Sequence, residues 1–220
     1  MKMFSLNRAV VTAAALLLTS LIAPAMAPAA VIYTYRTDQS GYSAGPGGTV
    51  TVNLFLRETV DGGSTSLLAT QNGLFSAGVA AARTASPSDP AFLTGATRNP
   101  AFNDVGSSQM SVAPTLTRFT EAVVSGGVPS TDFGGGVREV SLGSVTVQLG
   151  IVPLQTTTFT VRDYDNYGTS EDTLTGTGTV IDIPGGTSPS SVTFTTTVVP
   201  EPAAMSLLAL ALPLLGRRRR

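Results

Sequence analysis

Residues 49–56 read TVTVNLFL, in which valine and leucine alternate with threonine and asparagine. Successive side chains of a strand point to opposite faces of a sheet, so this alternation places the aliphatic residues on one face. Phe55 alone interrupts the polar face. Two glycine-rich stretches, GPGG at 45–48 and DGG at 61–63, flank the segment with turn residues. We therefore predict a half-buried strand that is bounded by tight turns.

The same alternation recurs along most of the chain, and no long stretch shows the apolar period of a helix. Glycines and prolines separate the alternating runs, which predicts about eight or nine short strands, each with one apolar and one threonine-rich face. Such a set favours an all-β fold, an antiparallel two-sheet sandwich over residues 30–198. Besides 49–56, strands are predicted at 31–35, 75–82, 119–124, 145–149, 158–162, 177–183 and 192–198.

Two segments of this body are less regular. Residues 78–83 contain three successive alanines, which suit a short helix as well as a strand, and both alternatives stay open. Residues 86–108 hold three prolines and show little periodicity. That composition predicts a long surface loop.

Part of the body resembles a known family. The stretches GGTVTVNL at 47–54 and LGSVTV at 142–147, with the glycine-led segment near Phe75, resemble cohesin-like jelly-roll domains. The resemblance implies a binding or scaffold role for the sandwich and no catalysis.

The composition excludes most catalytic chemistry. The chain has no cysteine and no histidine, and Lys2 is its one lysine. Thiolate nucleophiles, cysteine–zinc sites, imidazole bases and lysine Schiff bases in the mature body are therefore excluded. Between residues 30 and 199, seven arginines stand against thirteen carboxylates, a formal charge of −6 that disfavours nucleic acid. Carboxylate pairs of the glycosidase kind remain open, but we predict that the protein is not an enzyme.

The first 29 residues have the composition of a signal peptide. Lys2 and Arg8 precede an apolar run at 10–22, and small residues follow at 25–30. Thirteen apolar residues are too few to span a bilayer comfortably, which argues against a membrane anchor. We predict export, with signal peptidase cleaving after Ala29 rather than after Ala27, because the latter site would leave a proline beside the cleaved bond.

The last 22 residues differ in composition from the body of the chain and fall into three parts. Val199 is followed by Pro200, Glu201 and Pro202, and then by residues 203–216, of which eleven are apolar. As a helix this run would reach about 21 Å, against a hydrocarbon core of about 30 Å. The chain closes on four positive charges that favour the cytoplasmic side of a membrane, namely Arg217, Arg218, Arg219 and Arg220.

Those three parts, in that order, resemble the PEP-CTERM sorting signal, a region also labelled ice-binding protein C-terminal domain. The resemblance covers residues 199–220 and implies recognition of Pro200, Glu201 and Pro202 by an exosortase, with the terminal arginines as the membrane stop. It also implies a short membrane helix before processing, and release to the cell envelope, the surface or an exopolysaccharide matrix afterwards. Pro213, inside the apolar run, departs from a regular helix and kinks it.

Residues 163–172 form the segment richest in oxygen ligands. Asp163, Asp165 and Glu171 fall at the first, third and ninth positions of a calcium-binding loop, and Asp172 adds a carboxylate. Leu174 stands where the bidentate acid of such a loop belongs. Two interpretations stay open, an irregular calcium site and a solvated loop whose Asp and Asn side chains form turns.

Taken together, these features predict an exported, non-enzymatic protein of the cell surface or extracellular matrix, associated with exopolysaccharide. Its expected partners are signal peptidase and an exosortase during export, and the membrane before processing. The alternative is an adhesive module that binds matrix polysaccharide or calcium through residues 163–172. No other cofactor is expected.

Overall fold

The computed structural model describes residues 30–61, 63–106, 108–164, 173–181 and 189–200. These residues form strands and one short helix, α1, at Leu67–Thr70. The strands are β1 Val31–Thr37, β2 Gly41–Ala44, β3 Thr49–Val60, β4 Leu74–Ala85, β5 Phe92–Arg98, β6 Met110–Ala113, β7 Leu116–Ala122, β8 Thr131–Gly134, β9 Val137–Gln148, β10 Thr156–Arg162, β11 Leu174–Thr175 and β12 Val192–Val198.

The strands make two sheets, which confirms the predicted all-β, two-sheet body. The first sheet has the order β1-β3-β9-β5, and β8 also pairs with β9. The second has the order β2-β12-β10-β4-β7-β6, and β11 also pairs with β4. Neighbouring strands are antiparallel except β2 and β12, which are parallel. This pair departs from the prediction because only three residues separate β1 from β2, so the chain crosses to the second sheet without reversing its direction.

The two chain ends described lie at opposite ends of the sandwich. At one, Val31 pairs with Val60, and the Asp61 amide donates to the Ala30 carbonyl at 3.0 Å. We call this the Ala30 end. Strand β12 runs away from it, and at the other, the Pro200 end, the Val199 amide donates to the Ala44 carbonyl at 2.9 Å.

The apolar faces of the strands meet between the sheets. From β3, the opening stretch of sequence contributes Val52, Leu54 and Leu56, all completely buried. In the second sheet the rings of Phe159 and Phe194 stack with centroids 5.1 Å apart. The predicted threonine-rich faces lie outward, at Thr156, Thr158 and Thr160 of β10 and at Thr193, Thr195 and Thr197 of β12.

Phe55, which interrupts the alternation, lies on the outer face of the first sheet. The Arg36 guanidinium covers its ring at 5.5 Å from the centroid. A cation over an aromatic face is a favourable contact, and it shields the ring from water. The exception in the pattern is therefore a covered surface residue, and the pairing of β3 with β9 shifts by one residue at this point, between Leu54 and Phe55.

The structure decides between one pair of alternatives and corrects one prediction. Residues 78–83 belong to β4, which confirms the strand and not the helix, because β4 is held between β10 and β7 and packing overrides the helix preference of alanine. Residues 86–108 are not one loop, because β5 lies within them and pairs with β9. A bulge between Leu93 and Gly95 breaks the alternation of β5 and hides it in the sequence.

Other boundaries also differ from the prediction. Strand β9 begins at Val137, eight residues before the predicted start, and β7 begins at Leu116, three residues before its predicted start. In the segment 177–183, the described residues 177–181 form no strand. Pairing there is made by β11 and by a bridge between Leu174 and Val180.

The predicted signal helix and the C-terminal apolar helix lie outside the described residues. Within the described part of the chain, no helix has the length and apolar character needed to cross a membrane.

Candidate functional site

The structure describes two of the predicted site residues, one in the acidic segment and one in the sorting signal. Asp163 is half-buried and lies directly after β10, and Pro200 is half-buried and lies two residues after β12. The remaining predicted residues fall outside the described ranges: Asp165, Glu171 and Asp172 of the metal site, Glu201, Pro202, Arg217, Arg218, Arg219 and Arg220 of the sorting signal, and Ala27 and Ala29 of the signal cleavage site.

The acidic segment is anchored at both of its flanks on one strand. Arg162, just before it, pairs with Ala80 of β4, and Leu174, just after it, pairs with Ser76 of the same strand. The Tyr164 ring lies under the Arg118 guanidinium, 5.2 Å from the centroid. Among the described residues, no group of three or more acidic side chains is placed to hold a metal ion. The structure thus places the two described flanks of the segment at the Ala30 end.

The predicted sorting element begins where strand pairing ends. The Val198 amide donates to the Gln155 carbonyl at 3.0 Å, and the Val198 carbonyl accepts from the Leu154 amide at 2.7 Å. The Val199 amide, bonded to Ala44, makes the last backbone hydrogen bond along the described chain. Pro200 has no amide hydrogen to continue a ladder, so the chain leaves the sheet at this residue.

A cavity of about 300 Å³ opens at the Ala30 end. Its one charged lining residue is Arg138, which is already paired with Asp132 at 2.6 Å and with the Ser130 hydroxyl at 3.3 Å. The cavity therefore presents mainly backbone and small side chains. It is lined by Leu68, Ala69, Asn72, Gly73, Gly127, Pro129, Ser130 and Arg138.

Glu58 is a completely buried acid that is not among the site residues predicted from the sequence. Its carboxylate accepts hydrogen bonds from the Tyr33 hydroxyl at 2.7 Å and from the amides of Leu67 and Leu68 at 3.0 and 3.1 Å. The Ser66 hydroxyl also donates to it. Burial and the bond to Glu58 raise the pKa of the Tyr33 hydroxyl. The carboxylate holds the first turn of α1 against β1 and β3, which is a structural role.

Glu139 is a second buried acid, on the outer face of the first sheet, and its charge is paired. The Arg57 Nε donates to one of its oxygens at 2.6 Å, and the Arg36 Nη1 lies 3.3 Å from the other. Both of its oxygens are therefore engaged in fixing β9 to its neighbours.

Glu121 is the buried acid with the most unusual environment. It is 1% exposed, and one carboxyl oxygen accepts from the Asn99 amide at 3.2 Å. The other oxygen, like the buried Nη1 of Arg98, has no hydrogen-bond partner among the described residues. Burial raises the pKa of Glu121 to about 9, against smaller lowering effects of the Asn99 amide and Arg98. The carboxyl is therefore protonated at neutral pH.

This protonation makes stability depend on pH. The pKa of Glu121 is 4.5 ordinarily and about 9 in the folded chain, so the folded chain binds one more proton between these values. Protonation of Glu121 therefore adds to the free energy of unfolding. This contribution is complete below pH 4.5 and is lost as the pH rises through about 9, by up to about 1.4 kcal/mol per pH unit. We expect Glu121→Gln to remove this slope when urea unfolding is compared from pH 5 to pH 9. The same slope in both proteins would contradict the assignment.

The sequence does carry a signal for two of these acids. Glu58 continues the inward face of Leu54 and Leu56 in β3, and Glu121 continues that of Phe119 in β7. A carboxylate in the apolar register of a strand indicates a buried, bonded or neutral acid. The partners, in contrast, come from distant parts of the chain and have no local signal.

The comparisons with known proteins assign no family to the chain. No protein-family model matches the chain, and no curated protein sequence matches it. Among solved structures, the chain is similar to a type III cohesin module from the cellulosomal ScaE cell-surface anchoring scaffoldin of Ruminococcus flavefaciens. The similarity has a TM-score of 0.40 at 10% identity, and covers 78% of this chain and 89% of that one.

Proposed function

We propose that the protein is an exported, non-enzymatic component of the cell surface or extracellular matrix, sorted by an exosortase through residues 199–220. The observation that carries this proposal is the order of Pro200, Glu201 and Pro202, the apolar run and the arginine cluster. The structure supports it in one respect. The recognition element starts two residues after the end of β12, so cleavage within it requires no strand of the sandwich to open.

The body suits a displayed module. Of the three buried acids described above, Glu58 and Glu139 are occupied by structural hydrogen bonds and ion pairs, and Glu121 is 1% exposed, so none of them is presented to a substrate. The excess of negative charge on the mature chain favours solubility outside the cell. A cohesin-like scaffold role and association with exopolysaccharide belong to the same proposal.

Intact mass and fractionation of the native protein test the proposal. We expect a chain that starts near Ala30, ends between Val199 and Pro202, and is recovered from the surface or matrix. A chain that retains Arg220 in the inner membrane would overturn the exosortase assignment and leave a plain anchored protein.

The alternative function is an adhesive module that binds calcium or matrix polysaccharide through residues 163–172. The observation that favours it is the anchoring of both flanks of this segment on β4, which fixes where the acidic residues leave and rejoin the sheet. Fixed ends reduce the conformational entropy that ion binding costs.

Calcium titration separates the two functions. Under the surface-protein proposal we expect no binding heat and no rise in melting temperature. For a calcium-binding module, the free energy of unfolding should instead rise by about 2.7 kcal/mol when the free calcium concentration is about a hundred times the dissociation constant. The matched control is Asp165→Asn with Glu171→Gln, which removes charge from the segment and leaves Asp163 in place. Heat that appears in the native chain and vanishes in this variant would establish the alternative.

A further inference from the structure

The connection between β9 and β10, residues 149–155, exposes a cluster of apolar side chains at the Pro200 end. Ile151 is 70% exposed, Leu154 is 75% exposed, and Val152 is 42% exposed. Val199, 40% exposed, belongs to the same cluster because Leu154 is bonded to its neighbour Val198. Single exposed apolar residues are ordinary, but a contiguous group indicates a contact surface. We call these four residues the apolar tip.

The tip is held in its exposed position. The Asp89 carboxylate accepts hydrogen bonds from the amides of Ile151 and Val152, and the Gly150 carbonyl accepts from the Gly47 amide at 2.9 Å. Leu154 has a φ of 66°, in the left-handed region that is strained for a leucine. Strained backbone persists only where the surrounding structure imposes it, and it concentrates at functional surfaces.

The charge around the tip indicates which kind of partner can bind there. Residues 149–155 read LGIVPLQ and carry no charge, and Asp89 is half-buried and engaged by the loop amides. The rest of the mature body is acidic, so an acidic partner surface would be repelled. An uncharged apolar partner fits this surface.

The place where the chain leaves the body identifies that partner. Only Glu201 and Pro202 separate Pro200 from the apolar run that begins at residue 203, and three peptide steps reach at most about 10 Å. On the proposed function, on which this inference rests, that run lies in the bilayer before processing. The tip beside Pro200 is then held at the membrane surface at high effective concentration.

We propose that the apolar tip inserts into the interfacial layer of the bilayer while the C-terminal segment is still attached, so that the unprocessed protein stands with its Pro200 end on the membrane. Exposed aliphatic and proline side chains on a loop without charge bury themselves shallowly among lipid headgroups and acyl chains. The contact is weak by itself and depends on the tether, so it ends when the C-terminal segment is removed.

The chain has no native cysteine, so a single label reports one position. Two variants of the chain from residue 30 to 220, Leu154→Cys and Ile151→Cys, each carry one environment-sensitive nitrobenzoxadiazole label at the tip. The labelled chains are mixed with phosphatidylcholine vesicles. The matched control is Phe133→Cys, because Phe133 is also a large exposed apolar residue but lies in β8, at the Ala30 end.

We expect vesicles to slow reduction of the two tip labels by dithionite at least about threefold and to leave the label at position 133 unchanged. Flotation of the chain with the vesicles is measured in parallel. A chain that floats while all three labels react equally would overturn the tip contact and keep the tether. A chain that does not float would overturn the tether and this inference with it. Protection of the tip labels without vesicles would assign the surface to a second copy of the chain instead.

Discussion

Export should continue, and release from the membrane should stop, when Pro200, Glu201 and Pro202 are all replaced by alanine. The two prolines fix φ and remove amide donors, and Glu201 is the one charge between residue 199 and the terminal arginines. The triple variant removes these features together without touching the sandwich, because β12 ends at Val198. We expect the full-length chain, retaining residue 220, to accumulate in the membrane fraction, as measured by fractionation and intact mass.

Pro213→Ala is the matched control for this experiment. It also replaces a proline in the C-terminal segment, but it lies inside the apolar run, outside the recognition element. This variant should be processed and released normally. Normal release of the triple variant would contradict the exosortase assignment, and failure of both variants would point to the apolar run and away from Pro200 and its neighbours.

Removal of the four terminal arginines should weaken retention before processing, since the positive stop is lost.

Replacing Glu58 by alanine should have the largest effect on stability. The Tyr33 hydroxyl and the amides of Leu67 and Leu68 would lose a buried acceptor. Each buried donor left unsatisfied costs about 1–3 kcal/mol, so the expected loss for the three donors is about 3–9 kcal/mol. That is a large share of the about 5–15 kcal/mol by which a domain is stable. Urea unfolding of the chain from residue 30 onward measures it.

Two further variants make this result specific. Glu58→Gln keeps the volume and one acceptor oxygen, so we expect an intermediate loss. Asp132→Ala breaks the ion pair with Arg138 at a carboxylate that is 55% exposed, and should cost less than about 1 kcal/mol. If Glu58→Ala were as mild as Asp132→Ala, the buried carboxylate would not hold α1 to the sheets.

Regular alternation was enough to predict the elements that form the core. In β3, β10 and β12 the apolar positions of the sequence pattern are buried, except that Val50 and Val192 at the strand ends are half-buried, because a sandwich buries one face of each strand. Strand β5 escaped prediction because its bulge breaks the pattern, and β2 and β6 because four residues are too few to show a period. The parallel pairing of β2 with β12 depends on a crossing between sheets, which no local pattern encodes.

The candidate sites divide in a similar way. The sorting element stays a prediction, and it could be made from the sequence because its three parts are contiguous and each has its own physical character. The environment of Glu121 was not, because burial in β7 and the contacts from Arg98 and Asn99 exist only once both sheets have assembled. The apolar tip was also missed, because LGIVPLQ in sequence resembles a buried segment and only the fold shows it to be exposed.

The opposite placement of Ala30 and Pro200 has a mechanical consequence. A protein held at its Pro200 end and pulled by a neighbour at its Ala30 end carries the load along the length of β12. The ladders of β12 with β10 and β2 lie across that direction, because interstrand hydrogen bonds run from strand to strand. The load therefore shears many hydrogen bonds at once and does not peel them apart one after another, a geometry suited to a module that resists tension.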